Sequence, residues 1–184
     1  MKINELETAR IRLRQWQEQD FPLFTALNAD PQVMEYFPDP LTEEQSNQLA
    51  RRCESLIAEQ GWGFWAVELK SSQQFMGFLG LHKPQANLPF SPCVEIGWRL
   101  LKDYWGNGYA TEAGNAALRF AFNRLNLKEV VSFTAVSNMR SRAVMERLGF
   151  YDTKENFEHP GLPKGHALSE HVLYKIAKSQ WLGN

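Results

Sequence analysis

The stretch from Cys93 to Phe150 constrains the fold most, because it sets a strand, a glycine turn and two helix starts in fixed succession. The apolar run Cys93-Val94-Glu95-Ile96-Gly97-Trp98-Arg99-Leu100-Leu101 predicts a strand. It feeds the turn Trp105-Gly106-Asn107-Gly108-Tyr109-Ala110 and a helical stretch from Thr111 to about Leu125. Ala113, Ala117, Ala121, Leu118 and Leu125 share one side of that helix, which holds its start against a core. A helix start leaves its first N–H groups unpaired, and the helix dipole adds partial positive charge, so the turn suits a phosphate or pyrophosphate. A second helix start follows at Asn138-Met139-Arg140-Ser141 and runs to Leu148-Gly149-Phe150, where Gly149 reads as a C-cap. By itself Asn138 is an ordinary N-cap, worth about 1 kcal/mol over alanine.

The glycine pair alone fits any tight turn before a packed helix. It is not a P-loop, since no Gly-Lys-Ser/Thr follows, and Thr111 stands where a dinucleotide fingerprint needs its third glycine. The rest of the chain supplies the frame. Thr8 to Arg14 alternates polar and apolar, as a half-buried strand does. Asp20 and Pro22 open a helix that Asp30-Pro31 breaks, and Thr42-Glu43-Glu44-Gln45 opens another that reaches Gln60 and closes at Gly61. Residues 62–69 and 75–81 predict a hairpin, and residues 130–135, 151–153 and 172–176 predict further strands. Between the last two lies a long loop, 156–170, with Pro160, Gly161, Pro163 and Gly165, the kind of segment that is mobile or belongs to a site. One α+β domain over residues 1–184, with a mixed sheet, uses every element.

Charge and composition exclude several classes. The net charge of -1 leaves no basic excess for nucleic acid or an anionic membrane. No stretch approaches the roughly 18 apolar residues that span a bilayer, and the start lacks a signal-peptide core, so the expectation is a cytoplasmic protein. Cys53 and Cys93 read as reduced, packed thiols. His159, His166 and His171 crowd the long loop, but their spacing matches no compact ligand pattern, and no metal is expected.

The motif Trp105-Gly106-Asn107-Gly108-Tyr109-Ala110, followed by Asn138, Ser141 and Leu148-Gly149-Phe150, resembles the GNAT superfamily of acyl-CoA-dependent N-acetyltransferases. Trp105 replaces the Gln or Arg usual in the first signature. The form Trp-Gly-x-Gly-Tyr-Ala-Thr-Glu-Ala, with the opening Thr8 to Arg14 and the segment Asp30-Pro31-Gln32-Val33-Met34, is similar to the branch of ribosomal-protein N-terminal acetyltransferases of the RimJ/RimL kind. The resemblance implies a GNAT fold: a mostly antiparallel sheet, flanked by helices and splayed between its fourth and fifth strands, here 94–101 and 130–135. It implies acetyl-CoA as co-substrate, its pantetheine arm bonded to the backbone of Arg99, Leu100 and Leu101. The pyrophosphate would rest on Gly106, Asn107, Gly108, Tyr109, Ala110 and Thr111, with Asn138 and Ser141 reaching the arm or its sulfur. The expected partner is an amine, either a peptide N-terminus or a small molecule, and the chain would be a monomer or homodimer.

Direct attack of a neutral amine on a thioester sets the catalytic demand. An α-amine with pKa near 8 is substantially neutral already, whereas a lysine-type amine near 10.4 needs roughly 4 kcal/mol of help to lose its proton. Related enzymes often carry a catalytic glutamate where Glu95 stands. Glu95 is therefore a candidate base, or else a carboxylate paired with Arg12, Arg14 or another cross-strand arginine. A backbone N–H near Arg99 or Leu100 would steady the oxyanion. Met145 occupies the place of the tyrosine that often protonates the leaving thiolate, which makes Ser141 the candidate acid. His159, His166 or His171, with Glu158, would line the acceptor pocket opposite Tyr36 and Phe37. The rival expectation is a CoA-binding sensor or scaffold with little catalysis, suggested by Trp105 and Met145.

Overall fold

The computed structural model describes residues 2–181. Its strands are β1 (Leu6–Glu7), β2 (Ile11–Arg14), β3 (Phe64–Leu69), β4 (Gln74–His82), β5 (Glu95–Leu100), β6 (Glu129–Ala135), β7 (Tyr151–Asp152), β8 (Phe157–Glu158) and β9 (Glu170–Ala177). The helices are α1 (Phe21–Ala29), α2 (Glu43–Gln60), α3 (Tyr109–Asn123) and α4 (Met139–Arg147). The sheet runs β1-β2-β3-β4-β5-β6-β9-β7, with β8 also on β9. Every pairing is antiparallel except β5 with β6.

Local chemistry explains most boundaries. Thr42 and Gln45 form a reciprocal capping box at the start of α2, and Gly61 closes it at φ +82°. Pro22 sits in the first turn of α1, where its missing N–H costs nothing. The alternating run 8–14 is shorter as a strand than its pattern predicts. The Thr8 hydroxyl accepts from the Ile11 N–H, and the Thr8 N–H donates to the Ile11 carbonyl, so residues 8–10 turn and β2 starts at Ile11. Helix α3 begins two positions earlier than expected, at Tyr109, because Gly108 supplies a left-handed N-cap at φ +78°. The long loop is not structureless: Phe157 and Glu158 pair with His171 and Glu170.

Two apolar layers cover the sheet. Phe24 of α1 meets Phe75 and Phe78 edge-on, while Trp65, on the opposite face, meets Phe120 of α3. Ala113, Ala117, Leu118 and Ala121 are buried as their spacing requires. The α1 face also holds charge. Arg14 is clamped by Asp20 in two bonds of 2.7 and 2.8 Å and by Glu68 at 2.6 Å, all three being buried. Arg12 pairs with Glu7 at 3.1 Å and reaches Glu68 at 3.7 Å.

The sheet opens where expected. The fourth and fifth expected strands, here β5 and β6, share one ladder pair, Glu95 with Val131. The Val131 N–H reaches the Val94 carbonyl, and the Ser132 hydroxyl reaches the Ile96 carbonyl at 3.0 Å. Past that point the two strands part.

Arg14→Met should cost about 3–5 kcal/mol, since it strands the Asp20 and Glu68 carboxylates in a dry interior. Urea denaturation of the variant against the parent chain measures it.

Candidate active site

The C-terminal end of β5 leads into the glycine turn. Gly106 and Gly108 take φ of +75° and +78°, a region that side chains resist. Nothing lies within 4 Å of where a Gly106 side chain would stand, so that side of the turn is open. The N–H groups from Gly106 to Thr111 have no hydrogen-bond acceptor among the described residues. The turn is braced from behind. Arg10 donates to the Asn107 carbonyl at 3.1 Å, pairs with Glu112 at 2.6 Å and lies 4.4 Å over the Tyr109 ring. Burial works to raise the Glu112 carboxyl, but bonds from Thr8 and Arg10 outweigh it and hold the group below its ordinary value. A rigid, open row of N–H groups at the positive end of a helix is a fitting seat for a diphosphate.

Along β5, backbone polarity alternates between the two neighbouring strands. The Leu101 N–H donates to Met76 on the β4 side, and the Arg99 carbonyl lies against Gly77 of β4. Val94 and Ile96 turn their carbonyls to β6. The backbone groups of Trp98 and Leu100 therefore face the opening, and those of Arg99 and Leu101 face β4. Of Arg99, Leu100 and Leu101, only Leu100 turns its backbone groups to the opening, and Trp98 does the same. The Leu100 carbonyl is already taken by the Trp105 indole N–H at 2.8 Å.

Glu95 sits beside the point of divergence. It pairs across β4 with His82 and across β6 with Val131. Arg12 and Arg14 are both committed to other carboxylates, and among the described residues the Glu95 carboxylate has no ion pair or hydrogen bond. Burial alone pushes its pKa up to about 7, yet the residue keeps partial solvent contact. An unpaired, desolvated but reachable carboxylate is suited to accept a proton near neutrality. Burial also lowers the pKa of neighbouring His82, aided by the charge of Arg52, and its ring lies 5.2 Å from Phe64.

Gly97 and Arg99 follow Glu95 on the same face of β5. At Gly97 the Phe64 ring packs against the backbone, 3.3 Å from where a side chain would begin. Arg99 donates to the Asn28 side-chain carbonyl and lies 4.0 Å from the Phe37 ring centroid and 5.5 Å from that of Phe78.

Helix α4 starts on the other face. Asn138 caps it by accepting from the Ser141 N–H at 3.2 Å and donates to the Thr134 hydroxyl at 2.9 Å, so both ends of its amide already serve the fold. The Ser141 hydroxyl has no partner among the described residues and is partly exposed. Met145 is buried in the core.

The segment between α1 and α2 bridges the two sides. Phe37 stacks on Arg99 of β5, while Glu35 pairs with Arg140 of α4, whose guanidinium lies 4.7 Å from the Trp105 ring and 5.6 Å from that of Tyr36. The remaining candidates divide. His159 and His171 come together, ring centroids 4.9 Å apart, in a cluster with Phe90, Phe133 and Phe157. Burial lowers the pKa of both histidines. His166 lies apart, its Nδ1 accepting from the Leu168 N–H at 3.1 Å, and Glu158 is exposed. Among the described residues no three His, Cys, Asp or Glu side chains cluster as a metal site, and no helix is long and apolar enough to cross a membrane. Burial raises Cys53 to about 12 and Cys93 to about 11, so neither is a thiolate at neutral pH.

Comparison with known proteins agrees with this geometry. Residues 10–151 match the acetyltransferase (GNAT) domain family. The FsC-acetyl coenzyme A-N(2)-transacetylase of Aspergillus fumigatus is 31% identical over 186 residues, covering 96% of this chain and 77% of that protein. A GNAT-family acetyltransferase from Bacillus anthracis superposes with a TM-score of 0.79 at 23% identity, covering 96% of this chain and 99% of that one. Spermidine N-acetyltransferase from Vibrio cholerae, solved with CoA and spermine, gives 0.73 at 21% identity, covering 95% and 99%. With an unpaired N–H cradle, a parted strand pair and a matching family domain along most of its length, the chain belongs to the GNAT acetyltransferases.

Proposed function

We propose that this acetyltransferase moves an acetyl group from acetyl-CoA to a primary amine, with Glu95 as general base. The observation that carries the reading is the Glu95 carboxylate beside the opening of the sheet, largely desolvated, raised to about 7 and without an ion pair or hydrogen bond among the described residues. The Gly106–Thr111 cradle would hold the diphosphate, and the backbone of Trp98 and Leu100 would pair with the pantetheine arm as an added strand does. The amine nitrogen bonds to the thioester carbon while Glu95 takes its proton. The carbonyl electron pair moves to oxygen, steadied by a slot-facing N–H such as that of Trp98. Collapse breaks the C–S bond, and Ser141, directly or through water, returns a proton to the thiolate. The RimJ/RimL-like form of the glycine turn supports a protein N-terminus as one acceptor, and a small amine fits the same chemistry. A passive CoA sensor would leave the partnerless carboxylate without a task.

Four outcomes test this reading. Glu95→Gln should lower acceptor-dependent thiol release by about 10²–10⁴-fold with little change in CoA binding. In the parent enzyme kcat/KM should rise with pH through about 7, as Glu95 loses its proton, and the variant should lack that inflection. The same variant should be more stable. A carboxyl with a raised folded pKa stabilises the fold at low pH, and this is lost as pH climbs from about 4.5 to about 7. The variant's advantage should therefore be on the order of 1–3 kcal/mol at pH 8 and shrink towards pH 5, as read by urea titration at both values. For the cradle, Gly108→Ala places a side chain at φ +78°. The strain of about 1–2 kcal/mol should weaken CoA binding roughly tenfold in calorimetry.

A further inference from the structure

Resting on that reading, we propose that Arg99 recognises an acidic group on the acceptor, so that the substrate is a primary amine that also carries a carboxylate or phosphate. Arg10, Arg12, Arg14, Arg140 and Arg142 each have a carboxylate within salt-bridge distance, whereas Arg99 has none among the described residues. Its one polar contact is neutral, the side-chain carbonyl of Asn28. Asn28 is itself fixed, donating from its amide to the Ser46 hydroxyl at 2.8 Å, so it aims the guanidinium without neutralising it. The Arg99 Nε is buried with no hydrogen-bond partner. Cys53, the ionisable group of α2 that acts on Arg99, is held protonated and offers no counter-charge.

Taking a guanidinium out of water without an ionic partner is costly, and an apolar residue between Phe37 and Phe78 would avoid that cost. The expense is recovered if an anion arrives with the substrate. The placement suits that purpose. Glu95, Gly97 and Arg99 lie along one face of β5, and at about 3.3 Å per residue the two charged positions are about 13 Å apart at Cα. Between them, at Gly97, the Phe64 ring lies 3.3 Å from where a side chain would begin, so the floor there is an apolar ring. Phe37, 38% exposed, forms the outer wall from the α1–α2 segment. An amine at Glu95 with its acidic group toward Arg99 meets an opposite charge at each end. A purely cationic polyamine meets a like charge at Arg99.

The test uses the full chain, acetyl-CoA and thiol release with matched amines. The pairs are lysine against 1,5-diaminopentane, alanyl-alanine against its C-terminal amide, and O-phosphoethanolamine against ethanolamine. The first two pairs read a carboxylate and the third a phosphate. The expected result is an advantage in kcat/KM of at least about tenfold for the acidic member of at least one pair. Arg99→Gln should shrink that advantage to within roughly threefold by raising KM for the acidic member, while Arg99→Lys, which keeps the charge, retains part of it. Equal or better turnover of the acid-free members throughout would overturn the proposal. So would a Gln variant that loses both members of a pair alike, or one that loses CoA binding while the preference stays. Should the Gln variant not fold, the parent enzyme's preference and the Lys variant decide. No release with any amine would instead overturn acetyl transfer itself, and this proposal with it.

Discussion

Past Ile96, among the described residues, strand β5 bonds to a strand on one edge only. On that edge β4 holds it in register from Glu95 to Leu100. On the other, β6 lets go after a single pair and the Ser132 contact. An open strand edge inside a sheet is normally a liability, because its backbone groups need partners. Here it is retained by the helix that follows each of the two strands. Helix α3 is pinned through its alanine face and by the close approach of Gly114 to Leu148, and α4 is capped onto β6 through Asn138 and Thr134. The glycine cradle, the position of Glu95 and the Ser141 hydroxyl all follow from that divergence.

The electrostatics of the β5 face that carries Glu95 and Arg99 depend on where the arginines are committed. Arg14 is saturated by Asp20 and Glu68, and Arg12 by Glu7 and Glu68, at the edge of the sheet away from the opening. This separation leaves one carboxylate and one guanidinium on β5 without ionic partners, two positions either side of a glycine. Desolvation shifts the titration of both groups, raising the Glu95 carboxyl and lowering Arg99.

Much of this was legible in the sequence, for identifiable reasons. The alanine stripe of α3, the capping box at Thr42 and the paired helix starts are local signals, and local signals survive without coordinates. The divergence of residues 94–101 from 130–135 came from the family motifs and not from periodicity. What escaped was non-local. Whether Glu95 meets Arg12 or Arg14 depends on strand order, which places β3 and β4 between them. Which of Arg99, Leu100 and Leu101 turns its backbone to the opening depends on a register that slips by a whole face with one residue. The pairing of Phe157 with His171 closes a loop that composition marks only as rich in Pro and Gly. The side chain of Arg99 was overlooked because its significance lies in what is absent around it.

The indole of Trp105, bound to the Leu100 carbonyl, has a bearing on how a linear guest is indexed. It removes the last acceptor from the free edge, leaving the N–H and C=O of Trp98 and the N–H of Leu100 as the rungs available. A short ladder with a blocked end admits fewer sliding alignments than an open one. For an arm bound along this edge as proposed, the tryptophan would be a ruler stop, fixing how far from Glu95 its reactive end comes to rest.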